Sequence, residues 1–314
     1  MRDCVIVVGS GMMGSGISAM AALAGNKTVL VDIDETKAKN GLLKAMECIG
    51  VREENGLCTA EEAENAASRL FATADLAGAM SQTRILIEAI VENLSVKQSL
   101  FKQLDEMLPP EVPICSNTSG LRITEISALC QNPQRTMTTH FWLPAHLVPL
   151  VEVVMGEKTD ETMAFAMTKE LKEWGKSPVL VRRDQPGQLA NRIFQAIIRE
   201  AVSIVESGLA SAEDVDTAIG CGMAMRFPEW GPLMHLDAIG LDLGLAVQDS
   251  VLPSICNGNK GGDYLRSMVS RGETGASTGR GFYDWSQRSV RDDIKKRDAF
   301  IIESVKLKNR IDNT

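Results

Sequence analysis

One of the three histidines in the sequence stands where it could act as a proton acceptor. His140 lies at the end of a predicted strand, residues 136–142, and Glu152 follows inside a second apolar run, residues 150–154. A carboxylate inside an apolar strand is costly to bury unless it has a partner. A histidine and a glutamate that meet would form a base whose tautomer and charge the carboxylate fixes. A structural histidine and an edge-strand glutamate are the alternative that these two residues leave open.

The first residues of the chain have the pattern of a dinucleotide site. The apolar run Cys4–Val8 leads into a Gly-Ser-Gly-Met-Met-Gly turn and then into a predicted helix at residues 16–24. Gly9 allows the tight turn, Gly11 lets the backbone approach a pyrophosphate, and Gly14 lets helix and strand pack closely. The N–H groups and the positive dipole end of the helix favour the diphosphate. The predicted cofactor-binding residues of this turn are Gly9, Gly11, Met12, Met13 and Gly14.

The acidic residue after the second apolar run, residues 28–31, indicates which dinucleotide binds. Asp32 follows the glycines by about 20 residues, where a carboxylate accepts both ribose hydroxyls of NAD and repels the extra phosphate of NADP. No basic residue comes directly after it, because Ile33, Asp34 and Glu35 follow. NAD is therefore the expected cofactor, and FAD is disfavoured because nothing later resembles a flavin domain. An ordinary glycine-rich turn without a ligand is the alternative.

The order of predicted elements indicates how these residues are positioned. After Asp32, residues 35–49 and 60–68 form two predicted helices that project from the sheet, and strands then alternate with helices to residue 181. This alternation predicts an α/β Rossmann-type domain with a doubly wound, mostly parallel sheet, residues 1–186. From residue 187 onward no convincing strand appears. A smaller all-α domain is expected over residues 187–314, with the substrate in the cleft between sheet and helices.

The second part of the chain contains three predicted helices. Residues 190–207 have a long amphipathic pattern closed by Gly208, and Ser211 has the position of an N-cap for the next helix. The tail, residues 288–310, reads as an amphipathic helix, packed on its own domain or between subunits.

Composition restricts the class of protein. The 314 residues are 44% hydrophobic, which is enough for two buried cores, and the net charge of −8 makes nucleic acid an unexpected partner. No signal segment and no run of 18 apolar residues is present, so we expect a soluble cytoplasmic protein. Seven cysteines without a CxxC pair favour neither a metal site nor a disulfide framework.

Several segments taken together resemble the 3-hydroxyacyl-CoA dehydrogenase family. They occur in family order over nearly the whole chain, which is more specific than any one motif. The matching segments are residues 9–14, 87–97, 116–119, 140–141, 150–153, 186–187 with 191–192, 231–232 and 279–283.

The resemblance assigns roles to the residues considered above. It implies that His140 is the catalytic base and Glu152 its orienting partner. It also implies that Ser119 hydrogen-bonds the substrate oxygen near the nicotinamide, while Asn191 reaches in from the first helix of the second domain. Without the resemblance, Asn191 could equally be a helix cap.

Three further residues match positions of the family that contact the cofactor, namely Glu92, Lys97 and Asn117. Apart from the resemblance, Glu92 and Lys97 could be solvated charges at the start of a helix. The resemblance implies NAD as cofactor, an L-3-hydroxyacyl-CoA as substrate, a role in fatty acid metabolism, and a homodimer formed through the helical domain.

The chain departs from the family in the block after the catalytic histidine. Members that use CoA usually carry His-Phe-Phe-Asn-Pro, whereas this chain has His-Phe-Trp-Leu-Pro at residues 140–144. Leu143 can neither donate nor accept a hydrogen bond, so the usual substrate is in doubt. The segment at residues 222–227 looks more like the branch that oxidises small free hydroxy acids, such as gulonate 3-dehydrogenase (the lambda-crystallin relatives) and carnitine dehydrogenase.

A free-acid substrate would need a cation. Arg226 could clamp a carboxylate with two hydrogen bonds. The alternative interpretation of Arg226 is an arginine exposed at the surface or one that forms a salt bridge between subunits. A third possibility, in another class, is a protein that binds NAD without turnover.

Overall fold

The structure is a computed structural model that describes residues 3–312, and within them the strands form one eight-stranded sheet. In chain order the strands are β1 (Cys4–Val8), β2 (Lys27–Val31), β3 (Leu70–Thr73), β4 (Thr83–Glu88), β5 (Ile114–Ser116), β6 (Thr136–Phe141), β7 (Leu150–Met155) and β8 (Ser177–Val181). Their spatial order is β3-β2-β1-β4-β5-β6-β7-β8.

All neighbouring strands in this sheet are parallel except β6 and β7, which are antiparallel. The strand order reverses between β1 and β4, which is the topological switch point where α/β sheets bind ligands at the carboxyl ends of the strands. The glycine turn follows β1 at this edge. The expected Rossmann-type, mostly parallel sheet is confirmed.

α-Helices flank the sheet and continue through the second part of the chain, joined by turns, loops and short 3₁₀ or π segments. They are α1 (Met12–Leu23), α2 (Glu35–Glu54), α3 (Ala60–Ser68), α4 (Leu76–Met80), α5 (Leu94–Met107), α6 (Ile123–Ile126), α7 (Glu161–Glu173), α8 (Ala190–Glu206), α9 (Ala212–Ala218), α10 (Pro232–Ile239), α11 (Leu241–Val251), α12 (Asp263–Ser270) and α13 (Val290–Asp312).

Two helices are longer than their sequence patterns indicate. Helix α1 begins at Met12 rather than at residue 16, because Gly11 is its N-cap and the helix starts within the glycine turn. Helix α2 continues past residue 49 and ends at Glu54, where Arg52 stands in its last turn. No helix within residues 3–312 is both long and apolar enough to cross a membrane.

The chain divides into two compact units. One contains the sheet and extends to Ala190, with Phe300–Arg310 added to it, and the other contains Asn191–Ala299. The sheet unit has its apolar core on both faces of the strands. The second unit is helical, and its β-structure among the described residues consists of two isolated bridges at Arg280. The expected all-α second part is confirmed.

Candidate active site

The antiparallel pairing of β6 and β7 brings the expected base and its orienting partner together. In this register His140 lies directly opposite Glu152, so both side chains project from the same face of the sheet. His140 Nδ1 is 2.7 Å from Glu152 Oε2. The glutamate is fully buried and the histidine is 9% exposed. The two side chains that the sequence pattern suggested could meet are therefore hydrogen-bonded.

Four donors surround the buried carboxylate. Glu152 Oε2 accepts from His140 Nδ1 and from Trp142 Nε1, the latter at 3.1 Å. Glu152 Oε1 accepts from the backbone N–H groups of Leu189 and Ala190, both at 2.9 Å. Burial alone would raise the pKa of Glu152, but these hydrogen bonds outweigh it and lower the pKa to about 2. Because an ionised carboxylate only accepts, His140 carries its proton on Nδ1, and Nε2 is left to take another.

Ser119 lies in an exposed loop after β5 whose backbone is organised by Glu92. Glu92 Oε1 accepts from the Thr118 hydroxyl at 2.6 Å and from the N–H groups of Ser119 and Gly120 at 3.2 and 3.0 Å. Partial burial would raise the pKa of Glu92. The hydrogen bonds from Thr118 and Gly120 and the charge of Lys97 outweigh it and lower the pKa. Glu92 is therefore an ionised anchor for the loop that carries Ser119.

A buried ion pair beneath this loop was not recognised from the sequence. Lys97 Nζ is 2.5 Å from Glu88 Oε1 and 3.4 Å from Glu92 Oε2, and the side chains of Lys97 and Glu88 are 1% and 0% exposed. Glu88 also accepts from the N–H of Ile90 and the hydroxyl of Ser116. Lys97 is therefore not a solvated charge, and that alternative is wrong. Glu88, a charge inside an apolar strand, was the available signal.

Replacing Lys97 by methionine is expected to lower the free energy of unfolding by about 3 kcal/mol, because it leaves the buried Glu88 carboxylate without its cation. Urea unfolding followed by circular dichroism measures the change. The double variant Lys97→Met with Glu88→Gln should recover part of the loss, since no unpaired charge then stays buried. A single variant as stable as the parent would contradict the structural role of this pair.

Asn117 connects the carboxyl ends of three adjacent strands beside His140. Its side-chain oxygen accepts from the N–H of Phe141 at 2.8 Å, and its own N–H donates to the carbonyl of Glu88 at 2.7 Å. These contacts link the carboxyl ends of β4, β5 and β6. Asn117 is half-buried. Its two hydrogen bonds hold the strands together at the edge of the sheet where the glycine turn also lies.

The glycine turn is packed too closely for any side chain at two of its positions. Gly9 has φ +100°, and a Cβ there would lie 2.6 Å from the carbonyl oxygen of Ala89 at the switch point. A Cβ on Gly14 would lie 1.8 Å from the carbonyl oxygen of Gly9. Both glycines are therefore required by the close contact of β1, α1 and the residues after β4.

The start of α1 lies open to a ligand. A Cβ at Gly11, its N-cap, would meet nothing within 4 Å. Met12 is 68% exposed, whereas Met13 packs against the core of the sheet unit. The N-terminal N–H groups of α1, with no side-chain cap, suit the diphosphate of a dinucleotide. The residues present thus fit NAD.

Asp32 is held in one orientation at the end of β2. Its Oδ2 accepts from the N–H and the hydroxyl of Ser10 at 2.8 and 2.6 Å, and its Oδ1 accepts from the N–H of Ile33 at 2.8 Å. Partial burial would raise the pKa of Asp32, but the hydrogen bonds from Ser10 and Ile33 lower it. Gly41 of α2 allows this arrangement, because a Cβ there would lie 2.3 Å from the Cβ of Ser10.

The change Asp32→Asn is expected to lower kcat/KM with NAD by at least about tenfold, because a neutral amide binds the ribose hydroxyls less well than a carboxylate. It should also weaken discrimination against NADP, since the charge that repels the 2′-phosphate is gone. Steady-state rates with each dinucleotide measure both effects. Asp34→Asn, which removes the same charge two residues later at the N-cap of α2, is the control and should leave the NAD to NADP ratio unchanged.

Two of the residues proposed from the resemblance belong to the helical unit. Asn191 is the second residue of α8, inside the helix rather than at its cap, and its side-chain oxygen accepts from Gln195 at 3.4 Å. Arg226 is exposed in the turn before α10, and its carbonyl accepts from the N–H of Trp230. Trp230 Nε1 donates to His235 Nδ1 at 2.9 Å, which gives His235 a structural role.

Comparison with known proteins places both parts of the chain in one family. Residues 4–185 match the family model described as 3-hydroxyacyl-CoA dehydrogenase, NAD binding domain. Residues 187–285 match the model described as 3-hydroxyacyl-CoA dehydrogenase, C-terminal domain.

Individual relatives agree with these models. The chain is 36% identical over 287 residues to a probable 3-hydroxybutyryl-CoA dehydrogenase of Bacillus subtilis, covering 91% of this chain and 98% of that protein. The crystal structure of (S)-3-hydroxybutyryl-CoA dehydrogenase from Ralstonia eutropha matches with a TM-score of 0.73 and 31% identity, over 91% of this chain and 100% of that one.

A third relative differs in its substrate. The crystal structure of 5-formyl-3-hydroxy-2-methylpyridine 4-carboxylic acid 5-dehydrogenase, described as an NAD+ dependent dismutase, matches with a TM-score of 0.89 and 26% identity, over 98% of this chain and 99% of that one. Its substrate, as named, is a free aromatic acid, so the relatives differ in what they oxidise. What they have in common is the family, and this chain belongs to the 3-hydroxyacyl-CoA dehydrogenases, NAD-dependent oxidoreductases that act on CH–OH groups.

Proposed function

We propose that this protein catalyses the reversible oxidation of the C3 hydroxyl of an L-3-hydroxyacyl-CoA with NAD, using His140 as the general base. The observation that carries the proposal is the buried hydrogen bond between His140 and the ionised Glu152. Such a pair leaves His140 Nε2 as the acceptor of the hydroxyl proton. In the opposite direction the same nitrogen returns the proton to the 3-keto oxygen.

The surrounding residues have separate tasks in this proposal. Glu152 holds the Nδ1 proton of His140 and stabilises the imidazolium that forms in the oxidation direction. The Ser119 hydroxyl donates to the substrate oxygen, and the Asn191 amide orients the same group. Glu92 and Lys97 act by holding the Ser119 loop, and Asn117 by holding the end of β6. When bound, NAD supplies the hydride acceptor.

The division of labour between the two parts of the chain is also a proposal. Residues 1–186 would bind NAD, and residues 187–314 would contact the substrate and form a homodimer. The support for a dimer is α8, a strongly amphipathic helix with no buried residue, in which Ile193 and Phe194 are 54% and 49% exposed. Light scattering that gave 34.0 kDa instead of twice that mass would contradict it.

Seven free thiols are compatible with a cytoplasmic location.

A second candidate substrate is a small free hydroxy or aldehyde acid. The comparison of structures favours it, because this chain matches the pyridine carboxylic acid dehydrogenase with a TM-score of 0.89 and the 3-hydroxybutyryl-CoA dehydrogenase with a TM-score of 0.73. Leu143, in the place where CoA-using members carry asparagine, is 46% exposed and offers no polar contact. In this version Arg226 clamps the substrate carboxylate with two hydrogen bonds.

The substrates are distinguished by assaying the purified protein with NADH and acetoacetyl-CoA beside acetoacetate, dehydrocarnitine and 3-dehydrogulonate, and with NAD and the formylpyridine carboxylic acid. A kcat/KM of about 10⁴ M⁻¹s⁻¹ or more on the thioester alone supports the acyl-CoA proposal. Preference for a free acid, lost in Arg226→Ala, supports the second candidate. Binding of NADH without turnover of any compound would contradict both.

A further inference from the structure

Trp142 lies two residues after His140 and shares its hydrogen-bond acceptor. The indole Nε1 donates to Glu152 Oε2 at 3.1 Å, and the same oxygen accepts from His140 Nδ1 at 2.7 Å. The two rings are inclined at 54° with their centroids 5.9 Å apart. Both donors therefore reach one oxygen from separate directions.

The two oxygens of the carboxylate are held from different parts of the sheet unit. Oε1 is fixed by the N–H groups of Leu189 and Ala190 at the start of α8. These two amides follow a turn in which Gly187 and Gln188 both have positive φ, 80° and 52°. With Oε1 fixed, the position of Oε2 depends on its two donors. Trp142 is the donor that is not itself required to take part in proton transfer.

We propose that Trp142 is a positioning residue of the reaction: its indole N–H fixes the orientation of Glu152 and thereby the imidazole plane of His140. The inference rests on the proposed role of His140 as the base. The contact has a second effect. A donor on Oε2 reduces the proton affinity of this oxygen, so the proton between the two residues stays on His140 Nδ1 and the open nitrogen stays Nε2.

Two substitutions distinguish the effect of the Trp142 N–H donor from the effect of its aromatic ring. Trp142→Phe keeps an aromatic ring and removes the donor. Trp142→Gln removes the ring but places an amide N–H four bonds from Cα, as far along the side chain as the indole N–H. We expect kcat to fall about tenfold in Trp142→Phe, with KM for NADH and substrate within about twofold of the parent, because only the transition-state geometry of the base is disturbed. Trp142→Gln should recover at least half of the lost rate.

Two readouts exclude a merely structural effect. Fluorescence titration with NADH counts the folded binding sites, and its stoichiometry should be unchanged in both variants. The solvent deuterium isotope effect on kcat should rise in Trp142→Phe, since a displaced base slows the proton-transfer step. A loss of folded protein would lower the stoichiometry and leave the isotope effect as it was.

Trp174 provides a matched control. Its Nε1 donates to Glu170 Oε1 at 2.8 Å, an indole-to-carboxylate hydrogen bond that has no partner in common with His140. Trp174→Phe should reduce stability but leave kcat and the isotope effect unchanged. Trp142→Phe with kcat within twofold of the parent, or Trp142→Gln as slow as Trp142→Phe, would overturn the inference. His140→Gln, assayed beside them, tests the proposed base separately, because near-normal turnover of that variant would remove His140 from the reaction whatever the result for Trp142.

Discussion

Replacing His140 by glutamine is expected to lower kcat at least about 100-fold, because glutamine can occupy the site but cannot take a proton from a hydroxyl. Binding of NADH should be retained, since the glycine turn and Asp32 are unchanged. Turnover on the best substrate of the panel gives kcat, and fluorescence titration gives the dissociation constant of NADH. The loss should appear in both directions of the reaction, because the same nitrogen accepts and returns the proton.

His235 supplies the control for this experiment. It is half-buried, and its Nδ1 accepts from Trp230 Nε1 at 2.9 Å, so it too is a histidine fixed by one hydrogen bond. His235→Gln is expected to leave kcat within about threefold of the parent. Near-normal turnover in His140→Gln, or an equal loss in the two variants, would remove His140 from the mechanism.

Glu152→Gln is expected to reduce both activity and stability. An amide has one acceptor end and one donor end, whereas the carboxylate accepts four hydrogen bonds, two on each oxygen. The NH₂ group must therefore face either the amides of Leu189 and Ala190 or the ring N–H groups of His140 and Trp142. The imidazolium also loses its counter-charge. We expect kcat to fall by at least about 100-fold, by analogy with other histidines that lose an orienting carboxylate.

The pH dependence of stability tests the same residue in a different way. The pKa of Glu152 is lowered from 4.5 to about 2, which corresponds to about 3 kcal/mol of folding free energy. Because the folded pKa is depressed, this contribution is fully present above pH 4.5 and is lost as the pH falls towards 2. Glu152→Gln should therefore be less stable than the parent at pH 7 and should approach it in acid.

Urea unfolding at pH 7 and at about pH 3 measures both values. Glu161→Gln removes a carboxylate that is 53% exposed and paired with Arg182, and it should change stability by less than about 0.5 kcal/mol at either pH. A Glu152→Gln variant whose deficit at pH 7 persisted unchanged in acid would show that mismatched hydrogen bonds or packing, and not the lost charge, cause the deficit.

Local patterns were sufficient to predict the first part of the chain. Tight turns, helix starts and buried parallel strands depend on neighbouring residues, so the glycine turn, the acid at Asp32 and the alternation of strands and helices could be read directly. The cofactor and the change to an all-α part near residue 187 followed from the same signals. The ends of several helices and strands differ from the predicted ones, as at Met12, Glu54 and Phe141, and the short helix α4 had no sequence signal, because element ends depend on packing that the periodicity does not record.

The sequence indicated which residues could form the candidate site but not the contacts that they make. His140 and Glu152 were marked by their types and their places in apolar runs. Glu88 carries the same signal, but its partner Lys97 has the sequence pattern of a surface charge, and only the burial of both side chains identifies the pair. The resemblance to the family supplied Ser119, Asn117 and Asn191, whose roles stay proposals.

The sequence by itself determined a dinucleotide fold of the NAD type, its family, and a histidine and a glutamate with reason to pair. Only the tertiary structure decided that β6 and β7 are antiparallel in a register that sets these two residues opposite each other. It alone brought Trp142 and the start of α8 to the same carboxylate. The physical reason is that the alternation of apolar and polar residues determines which side chains of a strand face the core. The neighbouring strand and the register depend instead on contacts between segments far apart in the chain.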